Sequence, residues 1–326
     1  MIYPAILKKG NTIGIAAPSA GVGEKLEDFD NSLHVLHEEG FKTKETKSVR
    51  TPLTRSADAK TRGEELTSLF TDKEIKMVMA AAGGDFLNEM IPYANFETMK
   101  QNPKWMMGAS DPTGVLYPYT TIYDVATMYG MNAGSFDMGT KWDYIRNALN
   151  FIQGDFKEES FPMCMTKAKF MVETPAYDTP DIWHSPVNDI DVSGRCIGGC
   201  IDVLKDLIGT PYDGTKDFVK RYAQDGQIFY FDNFSMSAEN FYRTLTQFRY
   251  AGWFDHTKAV IIGRVCFPSS ETGMTYEEAA ARALEGIPWV CKADVGHTIP
   301  CMIMINGAML NFHYHKGKAD LEFHLD

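Results

Sequence analysis

The chain has 326 residues and a formal net charge of -11 at pH 7. This acidic balance argues against nucleic-acid and anionic-membrane partners, which select basic surfaces. Hydrophobic residues make up 44% and charged residues 23%, as in globular proteins of one or two domains. No apolar run reaches the roughly 18 residues of a transmembrane helix, and the N-terminus lacks the regions of a signal peptide. We therefore expect a cytoplasmic protein.

The cysteines show no CxxC spacing, and most of them lie in apolar, strand-like contexts. We expect small buried residues in a reducing compartment. A zinc site or a disulfide framework is the alternative. The cysteines are Cys164, Cys196, Cys200, Cys266, Cys291 and Cys301.

The first half of the chain alternates between strand-like and helix-like segments. Strands are predicted over residues 12–17, 41–49, 77–82, 105–108 and 128–133. Helices are predicted from Leu26 to just before Gly40, over 57–70 and over 143–151. Strands joined by crossover helices predict a doubly wound parallel sheet, so residues 1–153 are expected to form an α/β domain.

Residues 154–191 contain four prolines and no sustained periodicity, which indicates a linker or a loop over a cleft. Trp183 lies within this segment. It is either an ordinary packing anchor or a side chain that covers a substrate.

Residues 192–326 are expected to form a smaller α/β domain with a mixed sheet. The glycine-rich run 194–200 is predicted to open a helix through Leu207. Further helices are predicted over 238–248 and 275–284, and strands over 227–232, 259–265 and 289–293. Closing strands, mixed or antiparallel, are predicted over 302–305, 308–314 and 319–324.

Two apolar strands of the first half end in residues suited to nucleophilic catalysis. One ends at Gly108 and delivers Ser110 on a sharp strand-to-helix turn. The other is followed by Gly83 and Gly84, which have no Cβ and carry backbone N–H groups. A serine beside a glycine pair is a common way to build a nucleophile and an oxyanion hole.

Two further strands, in the second half, end near an acid and a base. Asp232 ends the strand 227–232, and His297 follows a glycine after the strand 289–293. With Ser110 they give the order nucleophile, acid, base of one type of catalytic triad. The structural alternatives are a turn serine, a helix-capping aspartate and a buried hydrogen-bonded histidine.

His313 and His315 lie two residues apart on one predicted strand, so they point to the same face. This spacing could serve a metal ion, but no third ligand is evident. We expect a solvated strand face and no metal.

At this point the motifs resemble those of LD-carboxypeptidase-type serine peptidases, the family that includes the microcin C immunity proteins of the MccF type. The resemblance covers nearly the whole chain. It is carried by the segments 7–19, 62–84, 108–113, 194–199 and 296–300. The run Asn88–Tyr93 after the glycine pair looks closer to the immunity branch than to the murein-recycling branch.

The resemblance implies a Rossmann-like N-terminal domain, a smaller C-terminal domain, a cleft between them and a homodimer. It implies Ser110 as nucleophile and His297 as general base. Asp232 stands where the family has a glutamate. The backbone N–H groups of Gly84 and Asp111 match the oxyanion hole. Gly83 and Trp183 are the substrate-binding candidates, and no metal or organic cofactor is required.

The chain departs from the family pattern at three positions. Asp232 is one methylene shorter than the usual glutamate, Ala109 replaces a tyrosine, and Cys200 replaces an asparagine. Two substrates stay open: a murein peptide with an L,D-linkage beside a free carboxylate, or an amide-linked aminoacyl nucleotide of the microcin C type. A catalytically inactive binding or immunity module is the alternative of another class.

Overall fold

The computed structural model describes residues 1–326, except for the side chain of Phe170. The chain forms two compact units, Met1–Phe156 and Lys157–Asp326. A parallel sheet organises the first unit, and a mixed sheet organises the second.

The first unit alternates strands with helices along the chain. Its strands are β1 Thr12–Ala16, β2 Lys42–Glu45, β3 Ile75–Ala80, β4 Trp105–Gly108 and β5 Thr127–Tyr129. Its helices are α1 Leu26–Glu38, α2 Ala59–Thr71, α3 Phe96–Gln101, α4 Thr113–Thr121 and α5 Asp143–Phe151. Within this unit the strands pair in the order β2-β1-β3-β4-β5, all in parallel. This confirms the predicted doubly wound sheet.

The strand order reverses between β1 and β3, because β2 lies on one side of β1 and β3 on the other. In open α/β sheets, ligands bind outside the carboxyl ends of the strands at this switch point. The segments that leave β1, β3 and β4 there carry Ser19, Gly83 and Ser110.

The strands of the second unit vary widely in length, from two residues to twelve. They are β6 Lys157–Glu159, β7 Met163–Cys164, β8 Thr179–Pro180, β9 Asp189–Cys200, β10 Gln227–Asp232, β11 Thr257–Gly263, β12 Trp289–Ala293, β13 Met304–Asn306, β14 Met309–His315 and β15 Lys318–His324. The helices are α6 Ile201–Leu207, α7 Thr215–Arg221, α8 Ala238–Tyr250 and α9 Tyr276–Ala283.

The main sheet of the second unit runs in the order β12-β11-β10-β9-β14-β15-β6. Strands β9 to β12 pair in parallel, whereas the pairs from β9 through β14 and β15 to β6 are antiparallel. The predicted mixed sheet is therefore confirmed. The parallel strands β10, β11 and β12 end side by side, and this edge carries the candidate residues of the second unit.

The helix predicted to open at Gly194 is wrong up to Cys200. Residues 195–200 pair one by one with 227–232 of β10, and the helix begins only at Ile201. The glycines allow close strand pairing here. A Cβ added to Gly198 would lie 1.9 Å from the Tyr230 carbonyl oxygen.

The structure also corrects the extent of the predicted linker 154–191. From Lys157 onward this segment belongs to the second unit, where β6 pairs with β15 and the first part of β9 pairs with β14. The second unit is therefore the longer of the two. The segment 154–191 was predicted as a linker because short strands that pair with distant partners show no periodicity of their own.

Several helices begin at the caps that their sequences encode. Asp58 accepts a hydrogen bond from Thr61 N at 3.0 Å at the start of α2. Thr275 and Glu278 form a complete capping box at the start of α9. Such caps satisfy backbone N–H groups that the helix leaves without intrahelical partners.

The described helices include none with the length and apolar character needed to cross a lipid bilayer. All six cysteines are free thiols, and five of them are buried, as expected.

Candidate active site

Ser110 stands at the turn between β4 and α4 in a strained backbone conformation. Its φ is +70°, a left-handed value that costs a non-glycine residue about 1–2 kcal/mol. The turn is held because Ser110 N donates to the Tyr129 hydroxyl at 3.1 Å and Thr113 N donates to the Ser110 carbonyl at 3.0 Å. A serine held this way at a strand-to-helix turn has the geometry of a nucleophile elbow.

The glycine pair lies beside this serine, as the sequence predicted. A Cβ added to Gly83 would lie 3.0 Å from Ser110 Cβ and 3.2 Å from Ser110 Oγ. Gly84 has a φ of +145°, and a Cβ there would lie 2.3 Å from Ser19 Oγ. Gly84 therefore requires glycine, for its backbone conformation and for its close approach to Ser19, whereas a Cβ at Gly83 would crowd Ser110.

The side chain of Asp111 links the serine turn to the glycine loop. Its carboxylate accepts a short hydrogen bond from the Ser19 hydroxyl and a second, of 2.9 Å, from Leu87 N. Burial raises the pKa of Asp111, against the opposing effect of these two bonds. The residue after the candidate nucleophile thus fixes the loop that follows Gly84.

Arg62 anchors the same region from helix α2. Its buried guanidinium donates to the carbonyl oxygens of Pro18 at 3.0 Å and Phe86 at 2.9 Å. It also pairs with Glu89 at 3.1 Å. These bonds connect the segment after β1 with the segment after the glycine pair. Neither Ser19 nor Arg62 was predicted to have a role at the site, although Ser19 lies three residues after the end of β1.

In the second unit, Asp232 and His297 form a close pair. His297 Nδ1 lies 2.7 Å from Asp232 Oδ2, and the Asp232 side chain is fully buried at the end of β10. The shorter acid reaches the ring because of Gly296. This glycine has a φ of +111°, and a Cβ there would lie 1.9 Å from Asp232 Oδ1. The Gly296 backbone therefore approaches the Asp232 carboxylate more closely than a residue with a Cβ could.

The surroundings of His297 favour its protonated form. Burial lowers the pKa of His297, but the negative charge of Asp232, 2.7 Å away, outweighs burial, so the net pKa is raised above 6.5. The Phe234 ring centroid lies 4.6 Å from that of the imidazole and limits its movement. A partly exposed imidazole beside a buried carboxylate has the properties of a general base.

Asp202, near the start of α6, holds the loop that follows Asp232. Its carboxylate accepts hydrogen bonds from Phe234 N at 3.0 Å and from Ser235 N at 3.3 Å. Its charge also contributes to the raised pKa of His297. Asp202 was not among the predicted site residues, because it lay inside the predicted helix, away from any predicted strand end.

Trp183 does not line a substrate site in this structure. Its side chain is 1% exposed, its Nε1 donates to Asp294 Oδ2 at 3.0 Å, and its ring stacks with Phe312. The structure supports the packing alternative for Trp183, and the substrate-binding prediction is corrected.

His313 and His315 lie on an exposed strand face, as expected. Each pairs with an aspartate of β9: His313 with Asp191 at 3.0 Å, and His315 with Asp189. Across the described residues, no group of three or more histidines, cysteines or acids has the geometry of a metal site.

The predicted residues thus fall into two groups, one in each unit. The first unit brings Ser110 together with Gly83, Gly84 and Asp111. The second brings Asp232 together with His297. Both groups occupy carboxyl ends of parallel strands, the position where α/β enzymes carry their catalytic side chains.

A strained serine turn and a buried acid–imidazole pair are parts typical of acyl-transfer hydrolases. Residues 13–130 match the LD-carboxypeptidase N-terminal domain, and residues 193–312 match the LD-carboxypeptidase C-terminal domain. The chain belongs to the LD-carboxypeptidase family.

Named relatives fall on both branches of this family. The microcin C7 self-immunity protein MccF of Escherichia coli is 24% identical, over 95% of this chain and 92% of that protein. An MccF-like protein of Bacillus anthracis has a similar fold, with a TM-score of 0.83 and 22% identity over 99% of this chain and 100% of that one. A muramoyltetrapeptide carboxypeptidase of Oxalobacter formigenes also has a similar fold, with a TM-score of 0.75 and 20% identity. The match covers 96% of this chain and 98% of that one.

Proposed function

We propose that this protein is a serine hydrolase that cleaves the amide bond of an L,D-linked murein peptide beside its free carboxylate. Ser110 is the nucleophile, His297 the general base, and Asp232 orients the imidazole. The observation that supports the proposal most strongly is the 2.7 Å approach of Asp232 to His297 at the end of β10. Family membership and the strained Ser110 turn support it independently.

The proposed reaction is acyl transfer in two stages. His297 removes the proton of the Ser110 hydroxyl as Oγ attacks the carbonyl carbon, and Asp232 stabilises the imidazolium. The imidazolium then protonates the leaving amine, which departs as a D-amino acid. Water, deprotonated by His297, attacks the resulting ester and releases the shortened peptide. Each proton that His297 takes is returned within the cycle.

The tetrahedral oxyanion is assigned to the backbone N–H groups of Gly84 and Asp111. Asp111 is the residue after Ser110, and α4 begins two residues later, so its N–H lies at the positive end of a helix dipole. Ser19 and the Asp111 carboxylate hold the glycine loop in place before substrate arrives. Donors fixed in advance need no reorganisation when the negative charge develops.

The second candidate is an amidase that detoxifies aminoacyl nucleotides, as in the immunity branch. It is supported by the TM-scores, which are higher against MccF-type structures, among them MccF in complex with aspartyl sulfamoyl adenosine. The burial of Trp183 counts against it, because a nucleotide base would favour an aromatic clamp, and Trp183 was the side chain predicted to cover the substrate. We therefore rank the murein peptide first.

An inactive binding module is the remaining alternative. It is suggested by two positions that differ from the family pattern, Ala109 and Cys200. Neither side chain has a role in the proposed proton transfers, so we expect them to alter the choice of substrate and not the reaction.

By the same resemblance, we extend the proposal to a cytoplasmic homodimer that acts in peptidoglycan recycling. Light scattering after size exclusion should then give twice the chain mass of 36.6 kDa. A single-chain mass at micromolar concentration would reject the dimer alone.

The function is tested with purified protein, a murein tetrapeptide and an amide-linked aminoacyl nucleotide, with the products identified by mass spectrometry. We expect release of the terminal D-amino acid and its loss in Ser110→Ala. Turnover of only the nucleotide would favour the second candidate. Binding of either compound without turnover would favour the inactive module, and undiminished hydrolysis by Ser110→Ala would reject the nucleophile.

A further inference from the structure

We propose that Arg264 is a positioning residue for the general base, because its guanidinium bonds residues on both sides of His297 in the chain. This inference rests on the proposed role of His297. It concerns a buried cluster of Arg264, Asp181, Asp294 and Trp183, which we call the arginine cluster. The proposed catalytic steps use none of these residues.

The arginine cluster arises where neighbouring parallel strands end. Arg264 directly follows β11, and Asp294 directly follows β12. The last residues of these strands, Gly263 and Ala293, are paired across the sheet. Asp232 ends β10, the next strand of the sheet. Three adjacent strands therefore deliver Asp232, Arg264 and Asp294 to the same sheet edge.

Arg264 reaches both sides of His297 through separate nitrogens. On the C-terminal side, Nε donates to Thr298 Oγ1 at 3.1 Å, and an Nη donates to the Pro300 carbonyl at 2.6 Å. On the N-terminal side, the other Nη donates to Asp294 through a short bond. The planar fork of arginine can serve these directions at once, which an ammonium cannot.

Asp294 also bonds the segment 154–191, which was predicted as a linker. Its Oδ2 accepts from Trp183 Nε1 at 3.0 Å and from Phe161 N at 3.1 Å. The same segment also bonds the loop that carries His297, since Met165 N donates to the Ile299 carbonyl at 2.8 Å. The role that the structure gives to Trp183 is therefore to support the loop that carries His297.

The charge balance of the cluster fits a fixed support. Arg264 Nη also bonds Asp181 at 2.7 Å, so two buried carboxyl groups share one guanidinium. Burial and the neighbouring Asp294 carboxylate raise the pKa of Asp181 to about 8. A raised pKa of Asp181 reduces the negative charge that the two carboxyl groups place around the guanidinium. The bonds to Arg264 let both carboxyl groups stay buried beside the loop that carries His297.

The test compares Arg264→Lys with Arg195→Lys. Arg195 is a matched control, because it is likewise a largely buried arginine that bonds an aspartate, Asp225, and a backbone carbonyl, that of Gly307. It pairs opposite Gln227, five residues before Asp232 on β10, so about 17 Å of strand separates it from the acid.

Two readouts are measured on each variant. The first is the pKa of the His297 imidazole by NMR, assigned by comparison with His297→Gln. The second is kcat and KM on the substrate that the wild-type protein turns over. For Arg264→Lys we expect the imidazole pKa to fall toward 6.5 and kcat to fall about 10²-fold, with KM changed less than about threefold. Arg195→Lys should leave both readouts unchanged, whatever it does to the melting temperature.

Thr298→Val provides a second variant should Arg264→Lys not fold. It removes only the hydroxyl that accepts from Arg264, at nearly constant side-chain shape. We expect about a tenfold loss of kcat, and Thr298→Ser should restore it.

The positioning role is rejected if Arg264→Lys and Thr298→Val keep the wild-type kcat and His297 pKa. It is also rejected if Arg195→Lys lowers kcat as much as Arg264→Lys, since the effect would then be general. If the wild-type protein hydrolyses nothing, the proposed function fails, while the His297 titration still decides whether Arg264 sets the state of the imidazole.

Discussion

Replacing Asp232 by asparagine tests whether this acid serves His297. The carboxylate is fully buried and lies 2.7 Å from Nδ1 of the ring. At an effective dielectric constant of about 20, opposite unit charges at this separation attract by about 6 kcal/mol. A barrier change of that size corresponds to roughly 10⁴-fold in rate, and the same aspartate-to-asparagine change in a serine protease triad costs about 10⁴-fold in kcat.

The assay is the release of the terminal D-amino acid from a murein tetrapeptide at saturating substrate. We expect Asp232→Asn to lower kcat by about 10³–10⁴-fold and to lower the pKa of His297. Asp232→Glu restores the charge and the residue usual in the family, so it should lose far less activity. Asp206→Asn is the control for removing a negative charge, because Asp206 is exposed on α6. If Asp232→Asn keeps a kcat within tenfold of wild type, Asp232 does not support His297 in catalysis.

Three further predictions concern the oxyanion loop, the base and a helix cap. Gly84→Ala should lower kcat about 10²–10³-fold, because the new methyl group collides with Ser19 and displaces an oxyanion donor. Gly139→Ala also places alanine at a positive φ but meets no neighbour within 4 Å, so it should keep its kcat. Activity should rise as the pH passes the raised pKa of His297, since the general base must be neutral. A midpoint below pH 6.5 in the profile of kcat against pH would contradict the assignment of His297 as the base. Thr275→Ala should cost about 1 kcal/mol in the free energy of unfolding, measured in urea, with kcat unchanged; no loss of stability would argue against the capping box.

The same pKa shift affects stability. The folded pKa of His297 lies above its unfolded value, so the Asp232–His297 pair stabilises the fold fully below about pH 6.5. This contribution is lost as the pH rises through the folded pKa. Enzyme activity and this part of the stability therefore change in opposite directions over the same pH range.

The sequence predicted the strand ends well, because buried parallel strands appear as short apolar runs bounded by small residues. Asp232 and Ser110 became candidates by this rule, and the family resemblance then implied their roles. The rule applies equally to Arg264 and Asp294, which directly follow apolar strands. Arg264 was missed because the predicted strand 259–265 ran past it, and Asp294 because an aspartate after a strand also fits a solvated surface position.

The errors come from contacts between residues far apart in the chain. The run 194–200 was assigned to a helix because its pairing with β10 and β14 cannot be deduced from local composition. Trp183 was offered as a substrate residue because its partner, Asp294, lies 111 residues away. How Asp232 replaces a longer glutamate could not be foreseen either, since it depends on the position of Gly296.

The most direct test of the account is to trap the acyl-enzyme. The protein is mixed with tetrapeptide, quenched in acid within milliseconds to seconds, digested, and analysed by mass spectrometry. The account predicts that the peptide containing Ser110 gains the mass of the shortened acyl group, and that this adduct is absent from Ser110→Ala. Steady turnover with no adduct on Ser110, together with hydrolysis by Ser110→Ala, would contradict it.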